Sequence, residues 1–227
     1  MTRSLGTRVT VVDDHALFAE AMDVALTLRG HDVRTVITAG LALEAGQLCT
    51  SILRTRPSVV LLDLNLGSSA NGRCVVRPLT EAGVAVVVVT GSAAPERWGE
   101  CLRLGARTAL PKSTPLDTIV ATIRMIGEHR PVLARDQLDR LLLCYDREKS
   151  SVQLTRARLE TLSRRECAVL AELMDGRQVR EIARSNFVSE ATVRTQVRSI
   201  LAKLGVSSQL AAVRTAAEAR WREPLSA

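Results

Sequence analysis

The N-terminal part of the chain is expected to fold as an α/β domain, a doubly wound five-stranded parallel sheet, and the C-terminal part as a small all-α domain. Three observations predict this. Five short runs rich in Val and Ile alternate with longer stretches of helical spacing. The run Val86–Val89 is apolar without alternation, as in a strand covered by helices on both faces. From Leu162 to Ala217 the strand pattern disappears and helical spacing fills nearly every residue.

In chain order, strands are expected at Arg8–Val12, Val33–Ile37, Val59–Leu62, Val84–Val89 and Arg107–Leu110. Their β-branched side chains suit a pleated, buried surface. Helices are expected at His15–Arg29, Leu41–Arg56, Gly72–Ala82, Pro95–Leu104 and Leu116–Glu128. In the first of these Leu17, Ala21, Val24, Ala25 and Leu28 form one stripe, the pattern of an amphipathic helix. Pro115 stands where a helix starts. Residues 131–154 read as a linker, with helical spacing over Asp136–Tyr145, where Leu138, Leu141 and Leu142 share a face.

Four short helices should follow. Ser163 caps the first, and Glu166 three residues on completes a capping box. Asp175-Gly176 ends it, and Val179–Ser185 is the second. Past Phe187-Val188, Ser189 caps a helix over Ala191–Leu204, with Val193, Val197, Ile200, Leu201 and Leu204 on one face. Gly205 closes it before a last helix at Ser207–Ala217. The expected domains are therefore 1–130, a linker at 131–154, and 155–220.

Composition narrows the function. No run of about 18 apolar residues is present, so no membrane span is expected, and the N-terminus lacks a signal-peptide core. Five scattered cysteines without a C-x-x-C pair fit neither a disulfide framework nor a zinc site, and point to the cytoplasm. Aromatics are scarce, which argues against stacking on single-stranded bases. The net charge is +7, and residues 131–227 hold 17 basic and 12 acidic side chains against 14 and 12 in residues 1–130. The excess favours a polyanionic partner for the second domain.

In a doubly wound sheet, ligands bind at the carboxyl ends of the strands. Those ends would carry Asp13-Asp14, Asp63, Thr90 and Lys112. Three carboxylates in one place call for a cation, and a hard divalent ion such as Mg²⁺ suits oxygen ligands. Asp63 could then attack phosphorus to form an aspartyl phosphate. Lys112 and the metal would neutralise the phosphoryl oxygens, and Thr90 could hydrogen-bond one of them.

With these motifs in place, residues 8–128 resemble a response-regulator receiver domain. The resemblance rests on Val-Val-Asp13-Asp14-His15, Val-Val-Leu-Leu-Asp63, Val-Val-Thr90-Gly91, and Gly105-Ala106 followed by Pro111-Lys112. It implies a flavodoxin-like fold and Asp63 as phosphoacceptor. It also implies that Asp14, Asp63 and the Asn65 backbone carbonyl ligate Mg²⁺, with Asp13 acting through water. His15 follows the acid pair as a family habit. Two positions depart from the family. Gly67 stands where proline is usual, in a loop Gly67–Gly72 that is one residue longer than usual, and Ala109 stands where an aromatic switch residue is usual. A phosphoryl group brings nearly two negative charges. Reversing a 1:99 population takes roughly 5.5 kcal/mol. Without the ring, dependence on phosphorylation is expected to be graded rather than strict.

The tail resembles the DNA-binding domain of NarL/LuxR-type regulators. Leu162-Ser163-Arg164-Arg165-Glu166, Val169-Leu170, Glu181-Ile182-Ala183, Val188-Ser189, Thr192-Val193-Arg194 and Ile200-Leu201-Lys203-Leu204-Gly205 carry the match. Gln196 departs from the usual histidine. Helix-turn-helix geometry places the second helix in the major groove. Arg194, Thr195, Arg198 and Lys203 are the expected DNA-facing residues, and Arg194 would read a guanine or grip a phosphate. The resemblance implies a cytoplasmic, DNA-binding transcription factor that is not an enzyme. Its partners would be a sensor histidine kinase, double-stranded promoter DNA and a second copy in a homodimer, with the dimer contact on DNA at Ser207–Ala217. Three other readings stand beside it. A phosphorylation-independent transcription factor would be insensitive to Asp63→Ala. A Mg²⁺-dependent phosphohydrolase would need an acid where Asn65 stands. An RNA-binding antiterminator would prefer RNA to duplex DNA.

Overall fold

The computed structural model describes residues 6–38, 44–67 and 71–222. The chain divides into two compact units that meet at Asp146 and Arg147. The first unit holds β1 (Arg8–Asp13), α1 (Ala16–Leu28), β2 (Asp32–Ile37), α2 (Ala45–Arg54) and β3 (Val59–Leu62). It continues through α3 (Arg73–Glu81), β4 (Ala85–Thr90), α4 (Pro95–Arg103), β5 (Thr108–Pro111) and α5 (Leu116–Gly127). All strand pairs are parallel, in the order β2-β1-β3-β4-β5. The expected five βα units are all present. The expected helix start at Leu41, and part of the loop Gly67–Gly72, lie outside the described residues.

Side chains of a strand alternate between faces, and here both faces are buried. Val12, Val60, Leu62, Val86 and Val88 pack with Leu48, Ile52, Val76 and Leu79 of α2 and α3. Val9, Val11, Leu61, Val87 and Val89 pack on the other face with Met22 and Leu26 of α1 and Ile119 and Ile123 of α5. Burying each such side chain contributes about 1.5–3 kcal/mol. Continuous Val and Leu runs are the sequence signature of this two-sided cover.

Helix α1 departs from the simple amphipathic pattern. Its apolar stripe points outward: Leu17, Val24 and Leu28 are exposed, whereas Ala19, Met22 and Leu26 are buried. The helix is apolar on two sides, so spacing alone did not identify the inner one.

α6 (Arg135–Glu160) crosses from the first unit into the second. It is longer than the helical segment expected at Asp136–Tyr145. No Gly or Pro interrupts 135–160, and the flanking charged residues are good helix formers. Leu138, Leu141, Leu142 and Tyr145 form its half-buried face in the first unit. In the second unit its end supplies Leu159 to the core.

The second unit continues with α7 (Arg164–Met174), α8 (Val179–Ser185), α9 (Glu190–Leu204) and α10 (Gln209–Glu218). Leu162, Leu170, Leu173, Ile182, Val193, Val197, Ile200, Leu204, Ala212 and Ala216 share one core. Ser189 Oγ accepts from the Thr192 N–H at 3.1 Å and so starts α9. Gly205, at φ 70°, ends it in the left-handed region, where glycine carries no penalty. None of the described helices is long and apolar enough to cross a membrane.

Candidate functional site

The sheet delivers the expected groups to one edge. Asp13 is the last residue of β1, and Asp63 directly follows β3. The Asp63 N–H donates to the Val12 carbonyl at 2.9 Å, which extends the β1–β3 ladder and sets the two acids side by side. Thr90 ends β4, and the Lys112 N–H donates to its carbonyl at 2.9 Å. The site therefore lies at the crevice between β1 and β3, where the winding of the sheet reverses.

One cation joins the acids. Lys112 Nζ lies 2.7 Å from Asp13 Oδ2 and 2.7 Å from Asp63 Oδ2. Both carboxylates are about 2 % exposed, so their charges need this partner. Burial works to lower the Lys112 ammonium, but the hydrogen bonds to Asp13 and Asp63 outweigh it and hold the group above its ordinary value. The Phe18 ring lies beneath the ammonium at 5.0 Å. Asp13, Asp63 and Lys112 are thus in direct contact. Thr90 is fully buried at the same edge, and its Oγ1 accepts from the Ser92 N–H at 3.2 Å.

Asp14 has a different environment. Its Oδ1 is buried yet accepts no hydrogen bond. His15 Nδ1 lies 2.7 Å from it, an ion pair when the imidazole is protonated, and 3.2 Å from Asp13 Oδ1. Asp13, Asp14, His15 and Asp63 each offer a ligand atom within 4.8 Å of the others. A buried carboxylate oxygen with no hydrogen bond, beside two further carboxylates, belongs to a donor set that suits a hard divalent cation. His15 is more than a neighbour, since its backbone N–H donates to Asp13 Oδ1 at 2.8 Å. Gly72 also belongs to the site, though no chemical motif marks it. A Cβ on Gly72 would fall 2.1 Å from the Asp63 carbonyl oxygen, so only glycine lets the two loops close.

In the second unit, Arg194, Thr195 and Arg198 are exposed on α9. Arg194 reaches Glu190 at 3.4 Å one turn back, and Thr195 Oγ1 donates to the Ala191 carbonyl. Phe187 is 96 % exposed in the turn before α9, at φ 54°. Lys203 does not join this surface. Its Nζ bonds Glu166 Oε2 at 2.6 Å and the Thr161 carbonyl at 3.0 Å. These bonds tie α9 to the start of α7.

Glu166 is the hub that spacing alone marked only as a cap. Ser163 N–H donates to Oε2 at 2.6 Å, and Ser199 Oγ donates to Oε1 at 2.6 Å. A second acid, Glu172, accepts from Ser185, Asn186 and Arg177 and so anchors the turn after α8 to α7.

Comparison with known proteins agrees with this fold. Residues 9–124 match the model of the response regulator receiver domain, and residues 160–216 match that of the bacterial regulatory proteins of the luxR family. A nitrate/nitrite response regulator protein homolog of Haemophilus influenzae is 29 % identical over 207 residues, covering 90 % of this chain and 93 % of that protein. The transcriptional regulatory protein DegU of Brevibacillus brevis is 26 % identical over 228 residues, with 94 % of each chain covered. A solved structure of two RcsB dimers bound to two parallel DNAs shares the fold at TM-score 0.50 and 18 % identity, over 93 % of this chain and 98 % of that one. The chain is a member of the response regulator family, with a receiver domain followed by a luxR-type regulatory domain.

Proposed function

We propose that Asp63 accepts a phosphoryl group from a sensor histidine kinase and that this controls binding of promoter DNA by α9. The observation that carries the reading is the Lys112 ammonium held between Asp13 and Asp63, at the strand ends where Thr90 is also buried. A carboxylate oxygen of Asp63 attacks phosphorus, the bond from phosphorus to the kinase imidazole breaks, and the imidazole leaves with the electron pair. Lys112 and the Thr90 hydroxyl are placed to meet the phosphoryl oxygens. Asp14, Asp63 and the Asn65 carbonyl would hold Mg²⁺, with Asp13 acting through water. When bound, the ion supplies charge neutralisation for the phosphoryl oxygens. Asn65 donates its backbone N–H to Asp63 Oδ1 at 3.2 Å, and its side chain offers no acid for ester hydrolysis. This favours a regulator over a phosphohydrolase.

Intact mass after incubation with acetyl phosphate and Mg²⁺ tests the reading. One phosphoryl adduct is expected, absent from Asp63→Ala and lost when the metal is chelated. An adduct that persists in Asp63→Ala, or none at all, would sink it. Ala109, buried at the position of the usual ring, favours a second reading in which DNA binding is independent of phosphorylation. DNA affinity unaffected by the adduct would select that reading.

The DNA-facing surface is proposed as Arg194, Thr195 and Arg198, acting on duplex DNA in the cytoplasm, with the protein as a homodimer. Paired half-sites multiply affinity, and α10 is the proposed contact between subunits on DNA. On duplexes selected from random sequence by the full chain, Arg194→Ala should weaken binding about 5- to 150-fold, the equivalent of roughly 1–3 kcal/mol. A guanine contact predicts relaxed preference at one base pair. A phosphate contact predicts uniform weakening and a salt slope shallower by about 0.9. Unchanged affinity would remove Arg194 from the interface.

A further inference from the structure

Ala109 leaves the receiver without a ring on β5, where it is a small buried member of the core beneath α4. A larger aromatic group enters the same core from α4 itself. Trp98 is half-buried there, and its Nε1–H donates to the Ser92 carbonyl at 2.9 Å. Ser92 lies between β4 and α4, and its own N–H donates to Thr90 Oγ1 at 3.2 Å. A continuous path therefore runs from the hydroxyl beside the acid site, through both backbone groups of Ser92, to the indole on α4.

The next residue, Gly99, is where α4 meets the first part of α6. A Cβ at Gly99 would fall 2.1 Å from the Leu141 carbonyl oxygen and 2.8 Å from Tyr145 Cβ. One turn on, Arg103 pairs with Asp146 at 2.5 Å. Backbone packed this closely, with a charged anchor beside it, leaves α4 no slack against α6. A shift of α4 must move this stretch of α6 or open the contact.

We propose that Trp98 is a positioning residue that couples Thr90 to α4 and, through Gly99, to the Leu141–Asp146 stretch of α6. Its ring packs on the same core as Ala109. The inference rests on the phosphoacceptor reading of Asp63. A threonine hydroxyl has one donor and two lone pairs, so it can donate to a phosphoryl oxygen and still accept from Ser92. Thr90 drawn toward Asp63 draws Ser92 with it, and the Ser92 carbonyl draws the indole. The indole N–H is donor only, so phenylalanine at 98 keeps a packed ring and removes the link. A tryptophan that only fills the core would not care whether Asp63 carries a phosphoryl group.

The test uses the full chain carrying Trp221→Phe, which leaves Trp98 as the single indole. Acetyl phosphate and Mg²⁺ are added, the adduct is counted by intact mass, and Trp98 emission is followed in the same sample. The emission maximum should shift in step with the adduct. In a second variant, Trp98→Phe, the adduct should still form. Hydrogen exchange over Leu141–Asp146, altered by phosphorylation in the parent chain, should then no longer respond to it. A full adduct with unchanged Trp98 emission overturns the coupling and leaves Asp63 as phosphoacceptor. So does an exchange response that survives in Trp98→Phe. Failure to form any adduct overturns both readings together.

Discussion

Lys112→Met should destabilise the receiver by about 3–5 kcal/mol in the absence of divalent metal, because it strands two buried carboxylates. Asp13 and Asp63 each lie 2.7 Å from the ammonium and are almost fully shielded from water. For a domain of this size that loss corresponds to a fall in Tm of roughly 10–20 °C. Two further results would follow from the same cause. Adding Asp13→Asn to the variant should restore part of the stability, since one of the two competing charges is gone. Mg²⁺ should raise the Tm of the variant more than that of the parent, because a cation that binds only the folded state stabilises by mass action. The phosphoryl adduct at Asp63 should form poorly in either case. Thermal unfolding with and without Mg²⁺ decides the matter. A Tm within a degree or two of the parent would mean that the ion pair is an ordinary wet contact.

Glu166→Ala should unfold the helical unit more readily than any change on the exposed face of Arg194, Thr195 and Arg198. The substitution removes the capping-box partner of Ser163 and the acceptor for Ser199, and it strands Lys203. Loss of one partner of a buried pair costs about 3–5 kcal/mol. Burial alone would raise the Glu166 carboxyl, but bonds from Lys203, Ser199 and Ser163 overcome that and hold it at about 2, against an ordinary 4.5. A carboxylate with a depressed folded-state pKa stabilises fully above its unfolded value and loses that contribution as pH falls through its folded value. The helical unit should therefore lose up to about 3 kcal/mol between pH 4.5 and pH 2. Glu166→Gln, which keeps an acceptor but no charge, should flatten that slope. Trp221 packs against this core and reports its unfolding in a Trp98→Phe background. A slope identical in the parent and Glu166→Gln would assign the acid sensitivity to other groups.

The two variants separate the units. Lys112 acts on the sheet and Glu166 on the helices, so each should shift one unfolding transition and leave the other in place. Distant sites with no shared partners add independently.

Much of this protein was legible in its residues. Continuous Val runs betrayed strands covered on both faces, because a parallel sheet buries each of its sides. The acids, the hydroxyl and the lysine could be assigned to one edge, because parallel strands all end on the same side. Ser163 and Ser189 marked helix starts, because a capping hydroxyl needs only local backbone. What tertiary structure decided was every choice among local equivalents. α1 carries apolar residues on two sides, and only packing selected Met22 and Leu26 over Leu17 and Leu28 for the core. Arg194 and Lys203 are both basic residues of α9, and only the approach of Glu166 gave Lys203 a partner on α7. Asp13 and Asp14 are adjacent acids, yet Asp13 turns to Lys112 while Asp14 lies against the His15 ring. Trp98 and Ala109 lie on different elements, and only the fold placed both in one core. Local sequence sets periodicity, caps and strand ends, because those depend on neighbours along the chain. Which face turns inward and which charge finds a partner depends on residues tens of positions away.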